Sequence, residues 1–160
     1  MSEGKLFICP TPIGNLEDIT LRTLNTLREV NTIAAEDTRH TVKLLNHYDI
    51  RVPLTSYYEH NKMEKGPYII DKIKRGENVA LVSDAGMPGI SDPGEELIHL
   101  AIEEGIEVVA LPGATASITA LVLSGLATGK FVFEGFLPSN GKERVEELKK
   151  IKYENRTIIL

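Results

Sequence analysis

A chain of 160 residues, 42% hydrophobic and 26% charged, has the composition of an ordinary globular protein and the length of one domain. No apolar run approaches the roughly 20 residues of a bilayer-spanning helix, no secretory signal pattern opens the chain, and the single cysteine, Cys9, has no partner for an internal disulfide. The expected compartment is therefore a reducing cytoplasm. The net charge of −5 excludes a generally basic nucleic-acid binder, so a nucleic acid would have to meet a local patch. Charge is balanced over residues 1–80, with 11 basic and 11 acidic side chains; residues 81–160 carry 7 and 12. The first half holds the candidate patch residues Arg22, Arg28, Arg39, Lys43 and Arg51.

Lys5 to Cys9 reads as a first strand, followed by the loop Pro10-Thr-Pro-Ile-Gly-Asn15. Asp18 is placed to cap a helix bearing Leu21, Leu24 and Leu27. Thr32 to Ala35 reads as a second strand that runs into Glu36-Asp37-Thr38-Arg39-His40 and a short helix, for which Asp37 can serve as N-cap. Pro53 to Tyr58 is a third strand. Asn61 to Glu64 has capping-box spacing before the helical face Ile69, Ile70, Ile73, which Gly76 ends. Asn78 to Val82 is the fourth strand. Leu97, Ile98, Ala101 and Ile102 mark the next helix, and Val108 to Leu111 is a fifth strand. Pro112-Gly-Ala-Thr-Ala116 leads into a helix with Ile118, Leu121 and Val122, and Phe131 to Phe133 reads as one more strand.

Strands that alternate with helices predict an α/β fold, a mostly parallel sheet with helices on both faces. The handedness of such crossovers puts the loops 10–15, 36–40, 57–61, 84–92 and 112–115 on one edge. Residues 137–141 have linker composition, and a charged helix and an apolar strand follow. The expected organisation is an N-terminal α/β domain over 1–136, a linker at 137–141, and over 142–160 the truncated start of a second α/β domain.

The loop between the fourth strand and its helix is the richest in special residues. Asp92-Pro93-Gly94-Glu95 predicts a helix start capped by Asp92, with Pro93 in the first position. A strand thus delivers a glycine-bearing loop to a helix mouth, the usual ligand crevice of open α/β sheets. A dinucleotide reading fails. Gly14 and Glu36 have near-suitable spacing, but Pro10 and Pro12 stand where the phosphate-binding turn needs glycine and free N–H groups. No P-loop, paired-cysteine or HExxH pattern is present, the four histidines (40, 47, 60, 99) form no ligand spacing, and no metal site is expected. Ser83 and Ser91 read as hydrogen-bonding loop residues.

Three blocks, Pro10-Thr-Pro-Ile-Gly-Asn-Leu-Glu-Asp-Ile-Thr20, Ala34-Ala-Glu-Asp-Thr-Arg-His-Thr41 and Val82-Ser-Asp-Ala-Gly-Met-Pro-Gly-Ile-Ser-Asp-Pro-Gly94, with Leu111-Pro-Gly-Ala-Thr-Ala116 behind them, resemble the tetrapyrrole-methylase superfamily. Within it they resemble the branch that methylates the ribose 2′-OH of a cytidine in bacterial 16S ribosomal RNA. The resemblance covers essentially the whole chain. It implies two α/β domains, S-adenosylmethionine bound in the cleft between them, a homodimer, and the small ribosomal subunit as partner. It also implies cofactor contacts at Pro12, Asp84, Ala85, Gly86, Gly89, Ile90, Thr115 and Ala116. Superfamily members acting on tetrapyrroles often carry Gly-Asp-Pro where this chain has Asp84-Ala-Gly-Met-Pro88.

A ribose hydroxyl is a weak nucleophile until its proton leaves, so a general base is expected; Glu36, Asp37 and His60 are the candidates on the loop edge. Arg39 and Asn61 are the candidate substrate contacts, Arg39 through an RNA phosphate. Asp37 and Asn61 each have a competing reading as helix caps. Two alternatives stand beside the RNA reading: methylation of a small tetrapyrrole, which the acidic balance suits, and a folded domain that by itself binds neither cofactor nor RNA.

Overall fold

The computed structural model of the chain describes residues 4–160; the first three residues of the expected 1–136 domain lie outside it. The contacts divide the chain into two compact units, one ending at Thr115 and one spanning Ala116–Leu160.

The first unit is built on five strands: β1 (Lys5–Ile8), β2 (Thr32–Ala35), β3 (Leu54–Ser56), β4 (Val79–Val82) and β5 (Glu107–Ala110). They pair in parallel in the order β3-β2-β4-β1-β5. Between them run helices α1 (Leu21–Glu29), α2 (Thr38–His47), α3 (Lys62–Lys74) and α4 (Glu95–Glu103). Side chains alternate across a strand, and the sheet separates two cores accordingly. Leu6, Ile8, Ala34, Val79 and Leu81 pack with Ile69, Ile70 and Ile73 of α3 and Leu97 and Ala101 of α4. Cys9, Ile33, Ala35, Ala80 and Val82 pack with Leu24 and Leu27 of α1 and Leu45 of α2. β1, β2 and β4 are thus covered on both sides, which is why they read as unbroken apolar runs. Burial pushes the Cys9 thiol up to about 12, so it stays an inert core group.

This order positions the site. β1 and β4 are neighbours, yet the chain leaves β1 for α1 on one face and β4 for α4 on the other. Where adjacent connections diverge, a crevice opens at the carboxyl ends of the strands.

Two helix starts differ from the sequence expectation. Asp18 ends a single 3-10 turn, Leu16–Asp18; α1 begins later, where the Thr20 side chain accepts from the Thr23 N–H at 3.1 Å. Asp92 does not cap α4 and Pro93 is not its first residue. The helix starts at Glu95 after Gly94, with no side-chain cap. The loop folds back on itself there: a Cβ at Gly94 would lie 3.0 Å from the Gly89 nitrogen and 3.0 Å from Leu81 Cδ2. That close return places the start of the helix, and Asp92 lies beside Ser83 instead.

The second unit holds α5 (Ala116–Leu123), β6 (Phe131–Phe133), α6 (Gly141–Ile151) and β7 (Thr157–Ile159). β6 and β7 pair in parallel, Val132 opposite Ile158, with α6 as the crossover and the Asn140 side chain accepting from the Lys142 N–H at 3.1 Å. The division therefore falls at 115/116 rather than at the expected 137–141 linker. The physical reason is β6, whose ladder bonds go to β7, taking residues 116–136 out of the first unit. Among the described residues no helix is long and apolar enough to cross a membrane.

Candidate functional site

The loops after β1 and β4 are tied together by backbone. Thr11 and Gly86 exchange both N–H···O bonds, each 3.0 Å. The buried Thr11 hydroxyl donates to the Ser83 carbonyl at 3.1 Å, and the Ser83 hydroxyl donates to the Gly86 carbonyl at 3.2 Å. Gly86 adopts φ +83°, a conformation that a Cβ disfavours. The loop after β5 closes on the same assembly: a Cβ at Gly113 would lie 2.3 Å from Pro10 Cγ. Three loops thus meet in a ledge of backbone, closed by the Thr11 and Ser83 hydroxyls and by the Pro10 ring at Gly113.

β2 delivers the charged groups. Asp37 is the N-cap of α2, accepting from the Arg39 N–H at 2.8 Å. The Arg39 guanidinium returns to the same carboxylate through two bonds of 3.1 and 2.7 Å. These bonds hold the Asp37 carboxyl at about 2, well below the usual range. Its own N–H donates to Asp84 Oδ1 at 3.2 Å, joining β2's exit to the β4 loop. Glu36 is shifted the other way. Burial raises its pKa first, and the charges of Asp92, Asp84 and Asp37 add to that, against an opposing bond from the Asp84 N–H. Asp92 is raised by burial and by Asp84's charge, with a Ser83 hydrogen bond opposing. Glu36 and Asp92 thus hold their protons more tightly than free carboxyls while Asp37 stays ionised, a separation that suits Glu36, at the exit of β2, as a general base.

Two cavities flank this cluster. One, of about 380 Å³, is lined by Gly89 and Ile90 and carries the acidic side chains of Glu36, Glu59, Asp92, Glu95 and Glu96. The other, of about 240 Å³, has apolar walls from Pro12, Leu16 and Leu44 and polar groups from Asp84, His40 and Lys43. A larger groove of about 550 Å³ lies between α3 and α4, lined by Met63, Pro67, Leu97 and Leu100. It contains none of the loop-edge carboxylates Glu36, Asp37, Asp84 or Asp92, so size alone does not mark the site.

The sequence candidates distribute unevenly over this geometry. Glu36, Asp37, Arg39 and Asp84 come together. Pro12 and Asp84 line the smaller cavity, Gly89 and Ile90 the larger, and Ala85 and Gly86 form the turn between β4 and the ledge. Thr115 closes the first unit, while Ala116 opens α5 in the second. His60 is exposed, edge-on to Tyr58 with ring centroids 6.3 Å apart, and lines neither cavity. Asn61 occupies the N-cap position of α3 without making the cap bond. Its Oδ1 accepts from the Tyr58 N–H at 2.8 Å and its amide faces the Ser56 carbonyl and hydroxyl at 3.3 and 3.2 Å. Its side chain therefore closes the β3–α3 loop. Sequence reasoning missed Leu16, Thr41 and Leu44 as cavity residues and had Lys43 only as one member of a candidate basic patch. The sole signal was that α2 carries Arg39, His40, Lys43 and His47 and no acid. Among the described residues no group of three or more His, Cys, Asp or Glu side chains could hold a metal ion.

The sequence profile of the Tetrapyrrole (Corrin/Porphyrin) Methylases family matches residues 5–160. A protein of Halalkalibacterium halodurans named ribosomal RNA small subunit methyltransferase I is 55% identical over 157 residues, which are 98% of this chain and 54% of that protein. The protein of the same name from Thermotoga maritima is 54% identical over 156 residues, 98% of this chain and 70% of its own. The chain thus spans little more than half the length of the first of these. A solved uroporphyrin-III-C-methyltransferase from Thermus thermophilus shares the fold, with TM-score 0.60 at 21% identity over 81% of this chain and 58% of that one.

Proposed function

Because the chain belongs to the tetrapyrrole (corrin/porphyrin) methylase family, we propose that at full length it is an S-adenosylmethionine-dependent methyltransferase acting on the ribose 2′-OH of a cytidine in the 16S RNA of the small ribosomal subunit. The reading includes a cytoplasmic location and a homodimer. High identity to proteins named for ribosomal RNA methylation supports the substrate class. The observation that carries the chemistry is Glu36, proton-affine beside ionised Asp37, among the residues lining a cavity next to the backbone ledge.

The residues present fit the cofactor. At Gly86 the ledge carries no Cβ, which lets a flat adenosyl group approach its backbone closely. The acidic lining of Glu36, Asp92 and Glu95 suits a ligand that carries positive charge on sulfur and nitrogen. Bound S-adenosylmethionine supplies a methyl group already activated by the sulfonium. What the protein adds is alignment of the attacking oxygen, worth about 7–11 kcal/mol in well-oriented systems, and a proton acceptor. Glu36 takes the hydroxyl proton in this reading. Asp37, fixed by Arg39 and by its own capping bond, keeps the β2 exit in place and adds its charge, after burial and the charges of Asp92 and Asp84, to what raises Glu36.

Calorimetric titration with S-adenosylmethionine, with NAD as control, tests the cofactor. Saturable heat from the former alone is expected, and heat from NAD alone would overturn the reading. Labelled methyl transfer offered in parallel to small ribosomal subunits and to a porphyrinoid tests the substrate. Transfer to the porphyrinoid alone would replace RNA with a tetrapyrrole.

A further inference from the structure

We propose that the cavity between the β1–α1 loop and α2 receives the unstacked base of the target nucleotide, with Asp84 accepting a hydrogen bond from its exocyclic amine. The proposal rests on the RNA reading above, adds the element that chooses the base, and gives to the base Pro12 and Asp84, which the family resemblance had assigned to the cofactor. Sequence-specific RNA recognition targets bases splayed out of their stack, held between flat or apolar walls and read at their edges. This cavity has those parts. Pro12, Leu16 and Leu44 supply apolar walls, and Asp84 supplies one polar edge.

One cation, Lys43, stands on the α2 wall where an RNA phosphate would approach. His40 and Lys43 line the cavity from α2, both exposed, and α2 has no acidic residue to repel a phosphate. The cavity on the other side of the cluster is acid-lined and would repel one. The position also suits the chemistry. Asp84 accepts from the Asp37 N–H at 3.2 Å, and its own N–H holds the Glu36 carboxyl. Asp84 thus joins this cavity to the proton acceptor: its carboxylate lines the cavity, and its N–H bonds the carboxyl of Glu36.

The choice of base follows from donor and acceptor types. A carboxylate only accepts, and with about four lone-pair sites it keeps capacity beyond the bond from Asp37. Cytosine presents an N4 amine to it; uracil presents a carbonyl oxygen at the same place, and two acceptors repel. The geometry thus favours cytidine over uridine.

The test uses the enzyme at the full length of its relatives, S-adenosylmethionine, and RNA substrates carrying C or U at the target position. The wild type is expected to prefer C. Asp84→Asn, whose amide can both donate and accept, is expected to lower the C-over-U preference at least tenfold. Leu16→Trp, at a half-exposed side chain that folding tolerates, is expected to raise the KM for RNA at least tenfold with the Kd for S-adenosylmethionine unchanged. An unchanged KM in Leu16→Trp would overturn the proposal. So would an Asp84→Asn enzyme with weakened cofactor binding and an unchanged C-over-U ratio, which would give Asp84 to the cofactor. A wild type that binds S-adenosylmethionine and methylates no RNA would instead sink the functional reading on which the proposal rests.

Discussion

The join between the β1, β4 and β5 loops can be probed at two glycines that resist substitution for different reasons. At Gly86 the obstacle is conformation. Its φ is +83°, while the space is adequate: a Cβ would lie 3.4 Å from Ile13 Cγ2 and 3.7 Å from the Ala114 carbonyl oxygen. Gly86→Ala therefore costs roughly 1–2 kcal/mol, the left-handed penalty of an L-residue, with no steric addition. At about 4 °C per kcal/mol for a chain of this size, the unfolding midpoint falls by roughly 4–8 °C. Gly86→Asn should lose less despite its larger side chain, because Asn visits this region more readily. At Gly113 the obstacle is space: a Cβ would meet Pro10 Cγ at 2.3 Å and Cβ at 2.9 Å, so in Gly113→Ala the two loops must part, at about 1–3 kcal/mol as in other overpacked sites. Thermal unfolding followed by circular dichroism measures the stability losses, and calorimetry with S-adenosylmethionine measures the ledge. The expected result is a higher midpoint for Gly86→Asn than for Gly86→Ala, and for Gly113→Ala a loss of binding larger than the loss of stability implies. A Gly86→Ala midpoint equal to that of the wild type, or a Gly86→Asn midpoint below that of Gly86→Ala, would refute the conformational argument.

Thr11→Val should destabilise the protein by about 1–3 kcal/mol, because the buried Ser83 carbonyl loses its hydroxyl donor, and Thr11→Ser should recover most of that loss in denaturant unfolding. Glu36→Gln should cut methyl transfer at least tenfold while raising the unfolding midpoint at neutral pH. The sign follows from Glu36's raised pKa: its folded form binds the proton more tightly, so its contribution to stability is largest below the unfolded carboxyl value and is lost as pH rises through the folded one. Stability measured over that interval should slope less in Glu36→Gln than in the wild type. Asp37 runs oppositely. Held at about 2, it contributes stability that is present above its unfolded value and lost as pH falls toward 2. In Arg39→Ala, a carboxyl-carbon NMR titration should show Asp37 moving up toward about 3.9 while stopping short of it, since the capping bond remains; methyl transfer should fall at least tenfold, and an unmoved titration would show the pair to be idle.

What the sequence by itself determined is whatever depends on neighbours along the chain. Short continuous apolar runs in Leu6–Ile8 and Val79–Val82, and helical spacing in Ile69, Ile70 and Ile73, reveal an α/β fold, because run length and helical period are local properties. Alternation of strand and helix places the loops on one edge, and Asp37 reads as a cap because a cap reaches only two or three residues. Local signals also misled where two residues competed for one role. Thr20 outranks Asp18, and Gly94 replaces Asp92, for reasons that lie in what each loop packs against. Only the tertiary structure decided the rest. The strand order β3-β2-β4-β1-β5 sets β1 beside β4, and from that follow the Thr11–Ser83 bond across 72 residues and the Asp37–Asp84 bond across 47. Glu36 acquires its raised pKa first from burial and then from the charges of Asp92 and Asp84, which no spacing rule connects to it. Desolvation and Coulomb interaction depend on distance through space, and that distance exists only once the sheet has formed.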